Sequence, residues 1–160
     1  MRFHYPSPVY VPNPTWGNHN AIIQATGLPL RTYPYWDAKT RGLNFTGMTS
    51  TLRAAPEGSI ILLHPCAHNP TGVDPTTEQW KGILAVVMEK KHIVFFDSAY
   101  QGFATGDFER DASTIRMFMN AGVTFVLTQS FAKNFGLYGE RVGAIHFVCS
   151  TKDAAVRALR

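Results

Sequence analysis

Three short apolar runs constrain the fold most: Ile60-Ile61-Leu62-Leu63, Ile93-Val94-Phe95-Phe96 and Val123-Thr124-Phe125-Val126-Leu127. Each is too short for a buried helix and lacks the polar alternation of a strand wetted on one face. Each therefore reads as an apolar strand of the core, and Ile60–Leu63 as one covered on both sides. Between them the periodicity changes. Trp80, Ile83, Leu84 and Val87 follow the i, i+3, i+4, i+7 stripe of a helix. Asp74-Pro75 reads as its cap and first position, and Lys90-Lys91 fall at its C-terminal end, where the dipole favours cations. A second helix is expected from near Asp111, presenting Ile115, Phe118 and Met119 before Gly122. A fourth strand, Val142 to Val148, and a further helix from Lys152 to Arg160 complete the pattern. Strand, helix, strand, helix, strand predicts an α/β fold, a mostly parallel sheet with flanking helices.

The N-terminal third is less regular. Val9-Tyr10-Val11 reads as a short strand stopped by Pro12-Asn13-Pro14, followed by a helical turn from Asn20 to about Ala25 that ends at Gly27. Leu30 to Tyr35 is expected to be extended, residues 36 to 49 to form a hairpin or excursion, and Thr49 to Ala55 a short helix. With 160 residues, 45% hydrophobic and 16% charged, the chain can bury a core and is not disordered. Its net charge of +4 is scattered apart from Lys90-Lys91, so no basic stripe suggests nucleic acid. Cys66 and Cys149 form no spacing motif and read as free thiols of a reducing compartment. No run is long enough to cross a membrane, and the first residues carry no apolar signal core or transit helix.

In sheets of this kind ligands gather at the carboxyl ends of the strands. The first apolar run ends at His64-Pro65-Cys66-Ala67-His68-Asn69-Pro70-Thr71-Gly72, the second at Asp97-Ser98-Ala99-Tyr100, and the third leads to Ser130 and Lys133. These ends deliver an amide, a carboxylate and an amine. A lysine withdrawn from water past a strand end loses its proton more easily and becomes a nucleophile toward carbonyls. Ser130 and Arg141 suit an anionic group, the guanidinium by its bidentate fork. Together these are the parts that pyridoxal phosphate needs: a Schiff-base amine, a phosphate anchor, and an acid such as Asp97 that keeps the ring nitrogen protonated.

Each residue also has a plainer reading. Asp97 could cap a turn, Tyr100 could sit at a core edge, Asn69 could be a turn residue before Pro70, and Trp16 could simply pack. His64, at a strand end, could be structural or could support Asp97 from behind. His64, Cys66 and His68 alternate as metal ligands do on extended chain, but no fourth ligand with the usual spacing follows and Pro65 and Pro70 break the segment. A metal site is set aside on those grounds.

Four stretches together resemble aspartate aminotransferases of the class I pyridoxal-phosphate family. They are Asn13-Pro14-Thr15-Trp16-Gly17-Asn18-His19, His64 to Pro75, Phe96-Asp97-Ser98-Ala99-Tyr100-Gln101-Gly102-Phe103, and Ser130-Phe131-Ala132-Lys133-Asn134 through Gly143. The likeness runs in the same order over nearly the whole chain. It implies part of the fold-type I large domain over residues 1–160, with pyridoxal 5'-phosphate as cofactor. Lys133 would be the Schiff-base and catalytic lysine, and Asp97 would face the ring nitrogen. Tyr100 and Asn69 would donate to the phenolic oxygen, Ser130 and Arg141 would hold the phosphate, and Trp16 would lie over the ring. Asn69 and Trp16 would also meet the substrate, His64 would back Asp97, and Asn13–Pro14 and Asn69–Pro70 would be cis.

The same resemblance implies amino-acid and keto-acid substrates, transfer of the amino group between aspartate and 2-oxoglutarate, and a homodimer. A mitochondrial or cytoplasmic setting follows, the form Gly139-Glu140-Arg141 being nearer to mitochondrial-type members. Family members are longer. Their N-terminal arm, phosphate loop and C-terminal small domain have no counterpart in these 160 residues, so this chain by itself is expected to be weakly active or inactive. A non-catalytic truncated paralogue and another fold-type I enzyme are the alternatives.

Overall fold

Among the described residues 7–158 of the computed structural model, the secondary structure follows the apolar runs but extends beyond several of them. The chain divides into two compact units. The first comprises the residues through Leu63 with His68–Ile93, and the second His64–Ala67 with the residues from Val94 onward.

The first unit contains β1 (Val9–Asn13), α1 (Asn18–Ala25), β2 (Leu30–Pro34), the two-residue strands β3 (Trp36–Asp37) and β4 (Gly42–Leu43), α2 (Phe45–Ala54), β5 (Ile60–Leu63) and α3 (Thr77–Glu89). β1 pairs in parallel with β2 over five positions and with β5 through Val9↔Ile60 and Tyr10↔Ile61. β3 and β4 form the expected hairpin. All four residues of β5 are buried, as a strand covered on both faces requires. β1 runs through Pro12 rather than stopping there. Its neighbour β2 carries Tyr33, whose hydroxyl donates to the Leu62 carbonyl at 2.8 Å inside the core. Burial, and secondarily Tyr35, pushes the Tyr33 phenol well above its usual value.

α1 begins at Asn18, two residues before expectation, and two further helix starts depart from it, each for a side-chain reason. α2 begins at Phe45, not Thr49, because the Asn44 side chain accepts the Gly47 N–H and caps the helix. Its threonines and glycine are weak helix formers and hide it in the sequence. Packing compensates: the Phe45 ring lies so close to Gly82 of α3 that a Cβ there would be 2.7 Å from it. α3 is capped by Thr76, not Asp74. Thr76 and Gln79 form a reciprocal capping box, with Thr76 N–H donating to Gln79 Oε1 at 2.8 Å. Asp74 instead accepts the His68 N–H at 2.9 Å and ties down the loop between them. The His68 ring stacks on Tyr35 (centroids 3.7 Å apart) and its Nδ1 lies 2.8 Å from Thr71 Oγ1. Both Asn13–Pro14 and Asn69–Pro70 are cis.

The second unit contains β6 (Ile93–Ser98) from its second residue on, α4 (Phe108–Asp111), α5 (Ser113–Asn120), β7 (Phe125–Ser130), β8 (Gly143–Val148) and α6 (Lys152–Ala158). Its core is a cluster of edge-to-face rings, Phe96 against Phe118 and Phe125 at 5.2 and 5.3 Å. The helix expected from near Asp111 is two helices. Asp107 caps the short α4 by accepting the Glu109 and Arg110 N–H groups, and Asp111 is drawn inward by the loop before it. β6 and β7 are parallel, with Asp97 opposite Thr128, and β8 returns antiparallel to β7, with Ser130 opposite Gly143. The mostly parallel sheet with flanking helices is the fold the alternation predicts.

Candidate active site

The strand β6 alternates, with Val94, Phe96 and Ser98 buried and Ile93, Phe95 and Asp97 less so. That alternation turns the Asp97 carboxylate away from the ring cluster around Phe96. β7 extends three residues beyond the apolar run, so Ser130 is its last residue and Lys133 follows it closely. A fold-back of the chain then brings Arg141 alongside: Phe131 N–H donates to the Val142 carbonyl at 3.1 Å, continuing the β7–β8 ladder past its end. The result is an open pocket of about 230 Å³ lined by Asp97, Thr128, Gln129, Ser130, Ala132, Arg141, Val142 and Gly143. An acid, a hydroxyl and a guanidinium share one cavity.

His64 stands behind the acid. Its Nε2 lies 3.7 Å from Asp97 Oδ2, with the His64 side chain only 4% exposed and that of Asp97 22% exposed. The Ser130 Oγ accepts the Ala132 N–H at 3.2 Å, which turns the chain out of β7. Arg141 has a positive φ of 50° and donates from Nη1 to the Tyr138 carbonyl at 3.3 Å. Lys133 does not line the pocket directly. It is half-buried rather than withdrawn from water, and its Nζ lies 4.9 Å from the centre of the Tyr100 ring, a cation–π contact. Six expected residues, His64, Asp97, Tyr100, Ser130, Lys133 and Arg141, thus fall within the second unit. The other two, Trp16 and Asn69, belong to the first. Trp16 follows β1, 40% exposed and edge-on to His19 at 5.2 Å, and Asn69 precedes the cis Pro70.

Three features of the site are not readable from motif spacing. Gln129 lines the pocket and donates to Gln101 Oε1 at 2.6 Å, a link between β7 and the loop after Tyr100. Thr128 donates to the Phe96 carbonyl at 3.1 Å across the β6–β7 pair. Gly143 permits the close approach of β8, since a Cβ there would fall 2.4 Å from the Gln129 carbonyl oxygen. Strand register brings these residues to the pocket; only the extension of β7 to Ser130 could have hinted at it.

The family model described as aminotransferase class I and II matches residues 2–160. The mitochondrial aspartate aminotransferase of Dictyostelium discoideum is 60% identical over 147 residues, covering 92% of this chain and 34% of that protein. The structure of aspartate aminotransferase from Saccharomyces cerevisiae cytoplasm superposes with a TM-score of 0.93 at 45% identity, over 99% of this chain and 41% of that one. The aromatic-amino-acid aminotransferase of Burkholderia pseudomallei, covalently bound to pyridoxal phosphate, gives 0.93 at 43% identity, over 96% and 38%. The chain spans about a third of the length of the relatives it matches. A pocket that joins an acid, a hydroxyl and a guanidinium beside a strand-end lysine thus coincides with a match along nearly the entire sequence, and the chain belongs to the class I and II aminotransferases.

Proposed function

We propose that this chain is the pyridoxal-phosphate-binding core of an aspartate aminotransferase, residues 1–160 forming part of the large domain. The observation that carries the reading is the shared lining of one pocket by Asp97, Ser130 and Arg141, with Lys133 adjoining it through Ala132. The residues fit the group. Arg141 and the Ser130 hydroxyl supply donors for a phosphate, and Asp97 supplies an anion for a protonated ring nitrogen. A cavity of about 230 Å³ is close to the lower end of the range for small-molecule sites.

Pyridoxal phosphate, when bound, supplies the electron sink for charge developing at the substrate's α-carbon. The chain's own residues do the rest. Asp97, with His64 Nε2 3.7 Å behind it, would hold the proton on the ring nitrogen. Tyr100 and Asn69 would donate to the phenolic oxygen, and Trp16 would cover the ring. Lys133 would be the nucleophile toward the cofactor carbonyl and would serve as general base and then general acid at the substrate's α-carbon. Aspartate and 2-oxoglutarate are the proposed pair, a homodimer the proposed assembly, and a mitochondrial or cytoplasmic setting accompanies them. No helix among the described residues is long and apolar enough to cross a membrane.

The test is direct. Pyridoxal phosphate is titrated into the purified chain, the near-visible absorbance is followed, and borohydride reduction is followed by peptide mapping. A reduced adduct on Lys133, lost in Lys133→Ala, is the expected result; no adduct, or one on another lysine, overturns the reading. Turnover of aspartate with 2-oxoglutarate that vanishes in Lys133→Ala separates an enzyme from a non-catalytic relative. Preference for an aromatic donor over aspartate would move the substrate assignment toward the Burkholderia neighbour.

A further inference from the structure

Asp111 is 4% exposed at the end of α4, and its carboxylate is filled by donors from a single loop. Gly102 N–H and Ala104 N–H donate to Oδ2 at 2.8 and 3.1 Å, and the Thr105 hydroxyl donates to Oδ1 at 2.7 Å. Burying an acid is costly unless donors surround it. Here all three come from residues 102 to 105, immediately behind Tyr100 and Gln101.

The same loop is held at further points. The Phe108 ring lies against Gly102, whose φ of +94° and contact of 2.9 Å to a built Cβ leave no room for a side chain. Gln101 Nε2 donates to the Phe108 carbonyl at 3.1 Å while its Oε1 accepts from Gln129 at 2.6 Å. Gln129 lines the pocket, and the Tyr100 ring lies under Lys133 Nζ. A continuous set of contacts therefore runs from Asp111 through the loop to both Tyr100 and the pocket wall.

We propose that Asp111 is a positioning residue: its buried carboxylate fixes the 102–105 loop and so sets where Tyr100 and Gln101 stand beside the cofactor pocket. Its consequence for the cofactor rests on the function proposed above; its consequence for the loop does not. Two variants test it, Asp111→Ala and the milder Thr105→Val, which removes one donor from an exposed loop position. Amide hydrogen exchange is measured on the full chain with no cofactor added, and pyridoxal phosphate affinity and the pH midpoint of the bound chromophore are measured beside it.

Protection of Gly102 and Ala104 should fall about tenfold or more in Asp111→Ala and less in Thr105→Val, with β6 and β7 amides unchanged within about twofold. Affinity for pyridoxal phosphate should weaken several-fold, and the chromophore midpoint should move to higher pH as the Tyr100 donor loosens. Unchanged protection at Gly102 and Ala104 in both variants overturns the proposal. So does loosened exchange with an unmoved affinity and midpoint, which would make Asp111 merely structural. If the wild type forms no Lys133 adduct, the function has failed, while the exchange measurement still decides whether Asp111 fixes the loop.

Discussion

Replacing Gly143 with alanine asks whether the pocket wall depends on the close approach of two strands. A Cβ at 143 would lie 2.4 Å from the Gln129 carbonyl oxygen and 3.4 and 3.5 Å from the Gln129 carbonyl carbon and the Ser130 Cα. Ordinary contact begins near 3.4 Å, so the strands must separate by about 1 Å at this point. The obstructing atom is backbone and cannot rotate away. Relief comes from opening the Ser130↔Gly143 end of the ladder, which also carries the Phe131–Val142 hydrogen bond. Losing one ladder bond at about 1 kcal/mol, with overpacking strain of about 1–2 kcal/mol left in the wall, gives a net loss of about 2–3 kcal/mol. For a chain of this size that is a fall in Tm of about 4–12 °C. Urea unfolding and thermal melts measure it, with Gly139→Ala as control. No heavy atom lies within 4 Å of a Cβ at 139, and that change should stay within about 0.5 kcal/mol of wild type. Because Gln129, Ser130 and Gly143 all line the pocket, pyridoxal phosphate affinity should drop with stability in the first variant only. A Gly143→Ala protein as stable as wild type would refute the strand-approach argument.

Other outcomes follow from buried polar groups and caps. Tyr33→Phe removes a buried hydrogen bond to the Leu62 carbonyl and should cost about 1 kcal/mol near neutral pH in urea unfolding. The phenols of Tyr33 and Tyr35 are both raised, chiefly by burial. The stability they carry is complete below the unfolded value near pH 10 and is lost as pH rises past it, so the wild-type midpoint should fall in alkali and Tyr33→Phe should fall less. His92 is lowered from 6.5, chiefly by burial and against its bond to the Leu52 carbonyl. Its contribution is present above pH 6.5 and lost as pH drops below it; urea midpoints between about pH 7.5 and 5.5 should show that decline, and His92→Gln should flatten it. Thr76→Ala opens the capping box of α3 and should cost about 1 kcal/mol, whereas a cap at Asp74 would leave that variant neutral.

Three of the parallel strands were legible from their apolar runs, of which only Ile60–Leu63 is buried at every position, β6 and β7 being buried at alternate ones. That Asp97 and Ser130 lie at strand ends was legible because chemistry-bearing side chains follow directly on such runs, and the two share one pocket. What escaped depended on contacts distant in sequence. α2 is built from poor helix formers and is held by its Asn44 cap and by Phe45 against Gly82. Asp74 and Thr76 are both good caps on paper, and only the demand of the His68 amide for an acceptor assigns one to the loop and the other to the helix. Gln129 reads as an ordinary polar residue until strand register puts it opposite Ser98 and within reach of Gln101. Lys133 was expected to be more deeply buried than it is, because neighbouring apolar letters do not reveal that its Nζ lies over the Tyr100 ring, half-buried.

The backbone at Arg141 adopts a conformation that glycine or asparagine occupies at far less cost, roughly 1–2 kcal/mol for an ordinary side chain. Variants selected only for remaining folded should therefore drift away from arginine at this site. Variants also required to grip an anion should keep it despite the handicap. In a randomised library sorted both ways, the letter recovered at position 141 would gauge which demand acts on the protein.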